Sequence, residues 1–180
     1  MKSKLMAVVL AVVLSVSASI VEAANPDAVA IRITCAPGLS VNIVETAYNF
    51  GEVDANTYAI STSSLTIQND SSGALQKFAL RLSDTQNWTL SSAPGTETFA
   101  VQALFNGNAA PVTGDFAQAN DELTNNDITC DGTKFANDET GTSVAASGKQ
   151  GLWLKFYTPT STGHTNEQTS YLTITASYQS

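Results

Sequence analysis

One histidine, His164, lies in the Ser/Thr/Gly-rich stretch "TPTSTGHTNE". A nucleophilic triad would have to be built around it, and no G-x-S-x-G elbow accompanies it. A His-based zinc site fares no better, because "GHTNEQ" offers no second His and no paired thiol at ligand spacing. Carboxylates are plentiful, but Asp121/Glu122 and Asp138/Glu139 are sequence neighbours, which points their side chains apart rather than across a glycosidic bond. These residues predict a protein that is not an enzyme. The metal chemistry open to them is that of a hard cation. Asp121, Asp127, Asp131 and Asp138, helped by Asp115 and by Asn120, Asn125 and Asn126, supply oxygens suited to calcium at spacings unlike an EF-hand. No other cofactor is implied.

The aromatic residues offer binding chemistry instead. In "LWLKFY", residues 152–157, Leu152, Leu154 and Phe156 share one face and Trp153, Lys155 and Tyr157 the other. Two readings stay open: a central strand covered on both faces, or a platform at Trp153 and Tyr157 for a sugar or a neighbouring subunit. Cys35 and Cys130 are the only cysteines, and in an exported chain two cysteines are expected to pair. A bridge across that separation would constrain the unfolded chain by roughly 4–5 kcal/mol.

The elements that must position these residues are strands. Period-two alternation recurs along the chain and no 3.6-residue stripe accompanies it. Val29, Ile31, Ile33 and Cys35 share one face of an expected first strand, Val41 and Ile43 begin a second, and "YNFGEV" at 48–53 reads as a third. Further strands are predicted over 58–69, 76–83, 88–91, 98–106, 150–158 and 169–179, separated by the turn clusters "NDSSG", "SAPGTE" and "FNGNAAP". Eight or nine strands without crossover helices predict an all-β fold, an antiparallel two-sheet immunoglobulin-like sandwich, with a jelly roll as the alternative. The stretch 115–139 breaks the pattern, carrying seven acids against one lysine, and reads as a long acidic loop tethered through Cys130.

The chain opens with two lysines, an apolar run from Leu5 to Val16 and Val21-Glu22-Ala23, the pattern of a cleaved secretory signal over residues 1–23. Residues 24–180 then form a single domain with no membrane span, placed outside the cytoplasm: secreted, on the cell surface or in the periplasm. Removing Lys2, Lys4 and Glu22 leaves six basic and fifteen acidic residues. That balance excludes nucleic acid and anionic lipid as partners, since both need basic surface.

Residues 48–73, "YNFGEVDANTYAISTSSLTIQNDSSG", resemble the opening of ASH-type immunoglobulin-like domains of bacterial surface proteins. Phe50, Gly51 and Val53 match that pattern's first element and Leu65, Ile67 and Asn69 its second, while Asn56 stands where the pattern carries Gly. A second resemblance is to spore-coat-U-like subunits and archaic chaperone–usher pilins, on Cys35, Asn49-Phe50-Gly51 and the alternating Leu172–Tyr178. Both imply an exported β-sandwich that binds or assembles.

The chain's two terminal segments bear on that implication. Leu172, Ile174, Ala176 and Tyr178 would face a core from a strand that ends near Ser180, and Val29, Ile31 and Ile33 form an apolar face just after the leader. Segments of this kind can be exchanged between subunits by strand addition. The expectation is a structural or adhesive subunit of the cell surface or of an extracellular fibre that self-associates or docks on other surface proteins. The alternative is a carbohydrate- or protein-binding module.

Overall fold

The computed structural model describes residues 32–33, 38–107 and 109–179. Every element below belongs to the unit Cys35–Ser180. Its strands are β1 (Val41–Ile43), β2 (Tyr58–Ile60), β3 (Leu65–Asn69), β4 (Gln76–Leu82), β5 (Thr89–Leu90), β6 (Thr98–Phe105), β7 (Ile128–Thr129), β8 (Lys149–Tyr157) and β9 (Leu172–Tyr178). They form two sheets, one ordered β1-β3-β8-β6-β5 with β2 also on β8, the other β7-β4-β9. All pairings are antiparallel except that of β5 with β6. The fold is an all-β two-sheet sandwich.

The core follows from alternation. On β4, Gln76, Phe78, Leu80 and Leu82 are buried and face Phe99, Val101, Ala103 and Phe105 of β6 and Leu152 and Leu154 of β8. Phe78 and Phe105 meet across the sheets at 6.3 Å between ring centroids. The run "TFAVQALF" of β6 departs from alternation, and all of Phe99–Phe105 is buried, as expected of a strand covered on both faces.

Four expectations need correction. The strand expected over 58–69 is two strands on the same edge of β8. Ile60 pairs with Lys155 but Leu65 pairs with Leu152, so four residues oppose two. Ser61 bridges the bulge: its amide donates to the Leu154 carbonyl at 2.8 Å and its Oγ accepts from the Leu154 amide at 3.1 Å. "YNFGEV" forms no strand. The Asn49 side chain accepts from the Gly51 amide, Gly51 takes φ 72°, and Phe50 turns in to pack on Phe156 at 5.4 Å. Asn56 takes φ 59°, the left-handed conformation that explains why a glycine suits that position.

The third correction is the acidic loop. Residues 115–139 are not a tether on a disulfide but the seal of one side of the sandwich. The Leu123 amide donates to Val101 of β6 and the Phe135 carbonyl accepts from Phe105. On the other sheet the Thr124 carbonyl accepts from Leu82 and the Cys130 amide donates to Phe78, while Gly141 and Val144 continue the pairing along β4. Leu123 and Phe135 are wholly buried between the sheets. Backbone pairing to both sheets plus two apolar anchors fixes this segment.

The fourth concerns the disulfide, which is not seen. Cys130 is a free, buried thiol packed where a side chain at Gly141 would strike its Sγ, and Cys35 lies outside the described residues. Residues 1–23, Val29 and Ile31 lie outside them as well. Of the expected first strand only Arg32 and Ile33 are described, in no strand, with Ile33 exposed.

Candidate functional site

Two surfaces gather the residues singled out in the sequence. The first is the side of the sandwich opposite the sealed one, where β1 edges one sheet and β9 the other. β9 pairs with β4 along its whole length, from Leu172 with Leu82 to Tyr178 with Gln76. Ser83 donates to the Tyr171 carbonyl and Gln179 to that of Leu75, which assigns the odd-numbered residues of β9 to β4. The backbone groups of Leu172, Ile174 and Ala176 therefore point to the other edge, where no described strand pairs. On β1, Ser40 and Val44 bond to Asp70 and Thr66 of the β3 side, so the groups of Val41 and Ile43 point outward in the same way. Val41, Ile43, Leu172 and Ala176 are only half-buried against the core. Of the inward face expected on β9, Ile174 is buried and Tyr178, at the end of the sheet, is 47% exposed.

The second surface is the outer face of β8, and here the covered-strand reading holds. Trp153 is 8% exposed, packs with Leu104, Phe116 and Ile60, and donates its indole N–H to the Asn106 carbonyl at 2.9 Å. It is no platform. The cover is residues 109–121, which include a 3-10 turn (Thr113–Asp115) and one helical turn (Gln118–Asp121). Tyr157 stays half-buried, its hydroxyl donating to Gln102 Oε1 at 3.3 Å and its ring 5.8 Å from that of Tyr58.

Between these rings the structure places a group the sequence reading passed over. Lys155 is 3% exposed, and its Nζ lies 4.9 Å from the ring centroids of Tyr58 and Tyr157 and 5.7 Å from that of Phe116. Its hydrogen-bond acceptor is the Thr113 carbonyl at 3.4 Å. An ammonium held by three aromatic faces is stabilised by their quadrupoles where water is excluded. The signal available in the sequence was a lysine inside an otherwise apolar run; the partners Tyr58 and Phe116 are not legible from spacing.

The acidic residues suited to calcium are not brought together, and among the described residues no group of three or more metal-ligating side chains forms. Each has its own contact. Asp121 Oδ2 accepts from the Ala117 amide at 2.6 Å, Asp127 pairs with Arg81 at 3.6 Å, Asp131 Oδ1 caps the amides of Thr133 and Lys134, and Asp138 Oδ1 accepts from Gly107. Asp121 is buried, and burial raises its pKa to about 6 against the opposing pull of the Ala117 amide and of Lys134. Asp131, by contrast, is held below the usual carboxylate range by the amides of Lys134 and Thr133. Burial pushes the Cys130 thiol up to about 12, and Asp131 acts in the same direction. Such a thiol is inert as a nucleophile.

No family model, characterised protein or solved structure matches the chain.

Proposed function

We propose that this protein is a non-enzymatic structural or adhesive subunit, exported to the cell surface or an extracellular fibre, that assembles by strand addition between copies. The observation that carries the reading is the asymmetry of the sandwich. One side is sealed by residues 115–144, whereas on the other β9 pairs, among the described strands, with β4 alone, above half-covered apolar side chains. An edge of this kind templates a further strand, and soluble proteins ordinarily block it with charge, proline or a covering loop. On β9 the solvent-side residues Thr173, Thr175 and Ser177 carry no charge.

The strand that fits it is residues 24–34 of a neighbouring copy. Val29, Ile31 and Ile33 repeat at the two-residue period of Leu172, Ile174 and Ala176, and Ile33 is 82% exposed. Main-chain bonds supply the affinity in such an addition and the alternate apolar side chains set its register.

The test is the size of the chain lacking residues 1–23, by light scattering and electron microscopy, with unboiled and boiled electrophoresis. Filaments or a heat-labile ladder are expected, and Ile31→Asp is expected to abolish them with the circular dichroism unchanged. A monomer at every concentration, with the amides of Leu172, Ile174 and Ala176 protected from exchange, would show that the chain closes its own edge.

A further inference from the structure

We propose that a cleft beside Tyr157 is a subsite for one polyhydroxylated ring, such as a terminal hexose of a glycan. The inference stands apart from the assembly reading and uses the other side of the molecule. The cleft exists because two segments leave the edge of β6 in different directions. At one end Ser91 donates to the Phe99 carbonyl; at the other Leu123 donates to Val101 and Glu122 lies opposite Gln102. Between them opens a cavity of about 140 Å³ walled by Gln102, Gln118, Glu122, Tyr157, Ala93 and Pro94.

The hydrogen-bonding groups around this cavity are unevenly satisfied. Gln102 is 5% exposed, and its Oε1 accepts from the Tyr157 hydroxyl. Its Nε2 has no hydrogen-bond partner among the described residues, yet it is not among the atoms sealed from solvent, so it opens to the cavity. Gln118 donates its Nε2 to the Ser92 carbonyl at 2.7 Å, which leaves its Oε1 as an acceptor. The Glu122 carboxylate likewise makes no hydrogen bond within the described protein. The lining thus combines an almost buried amide donor, a carboxylate, an amide acceptor and the phenol ring of Tyr157.

That combination selects the ligand class. A free anion is opposed by Glu122 and by the chain's formal charge of −8. An ammonium would suit the carboxylate and the ring but would leave the Gln102 donor unmet. Vicinal hydroxyls donate to Glu122 and Gln118 and accept from Gln102 at once, while the C–H face of a sugar ring packs on an aromatic ring. Size agrees: the cavity of about 140 Å³ exceeds the roughly 30 Å³ share of one water and is below the roughly 300 Å³ of a drug-sized pocket. A second depression of about 210 Å³ shares Ser92 and Glu122 with the first and adds Ser91, Thr124 and Asn125, room for a neighbouring residue of a glycan.

The test is a titration of the full mature chain with methyl glycosides of glucose, galactose, mannose and N-acetylglucosamine, followed by NMR. Saturable shifts of the Gln102 side-chain amide are expected with at least one of them. Glu122→Ala, which leaves the backbone bridge to Gln102 in place, is expected to weaken binding about tenfold, the loss of one charge-assisted hydrogen bond. Tyr157→Phe keeps the ring and frees the Gln102 carbonyl, and should change affinity without changing the fold. Silence with all four glycosides, shifts undiminished in Glu122→Ala, or stronger binding of n-butylammonium than of any glycoside would each overturn the proposal. Repeating the titration on Ile31→Asp separates this outcome from assembly, since the cleft lies away from the β9 edge.

Discussion

At the residue scale two of the buried titratable groups, Asp121 and Cys130, give opposite signatures. Asp121 has a folded-state pKa of about 6, raised by burial, against roughly 3.9 for an unfolded chain. Above pH 6 the carboxylate is ionised in both states and folding bears its desolvation. As pH falls from 6 toward 4 the folded protein takes up the proton first, so this group adds stability on acidification. The urea midpoint is therefore expected to rise between pH 7 and pH 5. Asp121→Asn, which keeps an oxygen for the Ala117 amide, should flatten that slope and stabilise the protein at pH 7 by about 1–3 kcal/mol. A midpoint falling over the same interval in the wild type, with no change in the variant, would contradict the assignment. Cys130 is the passive counterpart, and with a pKa of about 12 it should resist iodoacetamide at pH 8 in the native protein. It should then be alkylated in denaturant without reductant, as peptide mapping would read. Protection that persisted in denaturant would mean a disulfide.

At the scale of elements, what the sequence discloses depends on periodicity. β4, β6, β8 and β9 are legible because their apolar residues repeat at the period of a strand or fill it without interruption. The segment 115–139 is not, because single residues such as Leu123 and Phe135 anchor it and its pairing partners lie on two sheets. Hence a polar composition reads as a loop where the structure has a seal. The platform reading of Trp153 and Tyr157 fails in part for the same reason, since Phe116 arrives from a stretch with no period. The cover over β8 should also depend on Lys155. Lys155→Ala removes its packed stem, the three ring contacts and the bond to Thr113, a loss expected at about 2–4 kcal/mol. Lys155→Met, similar in volume but uncharged, should recover about half of that. Hydrogen exchange would show the effect concentrated in residues 109–117 and the midpoint of urea unfolding would give its size. Faster exchange spread evenly over β4 and β9 would mean that the lysine supports the whole sandwich.

At the scale of the molecule, the two long sides of the sandwich differ in kind. On the sealed side the even-numbered residues of β4 bond to Thr124, Cys130, Gly141 and Val144, so the sheet continues into its cover without a break. On the other side the corresponding groups of β9 meet no described strand, and Leu39, Val44 and Tyr171, which flank β1 and β9 in the chain, add exposed apolar surface. A charge placed at the β9 edge should consequently act on association and leave folding nearly untouched. Thr175 is exposed on the solvent face of β9, where a lysine costs little in the monomer, surface substitutions lying within about ±0.5 kcal/mol. Edge lysines are also the device by which natural sheets refuse further strands. Thr175→Lys is therefore expected to shift the assembled protein to monomer at equal concentration, with an unchanged melting temperature. Thr129→Lys, on the short strand of the sealed side, should do neither. Size-exclusion chromatography with light scattering on the two variants decides the matter. Equal assembly of both would place the contact between copies somewhere other than the β9 edge, and equal loss would point to charge rather than position as the cause.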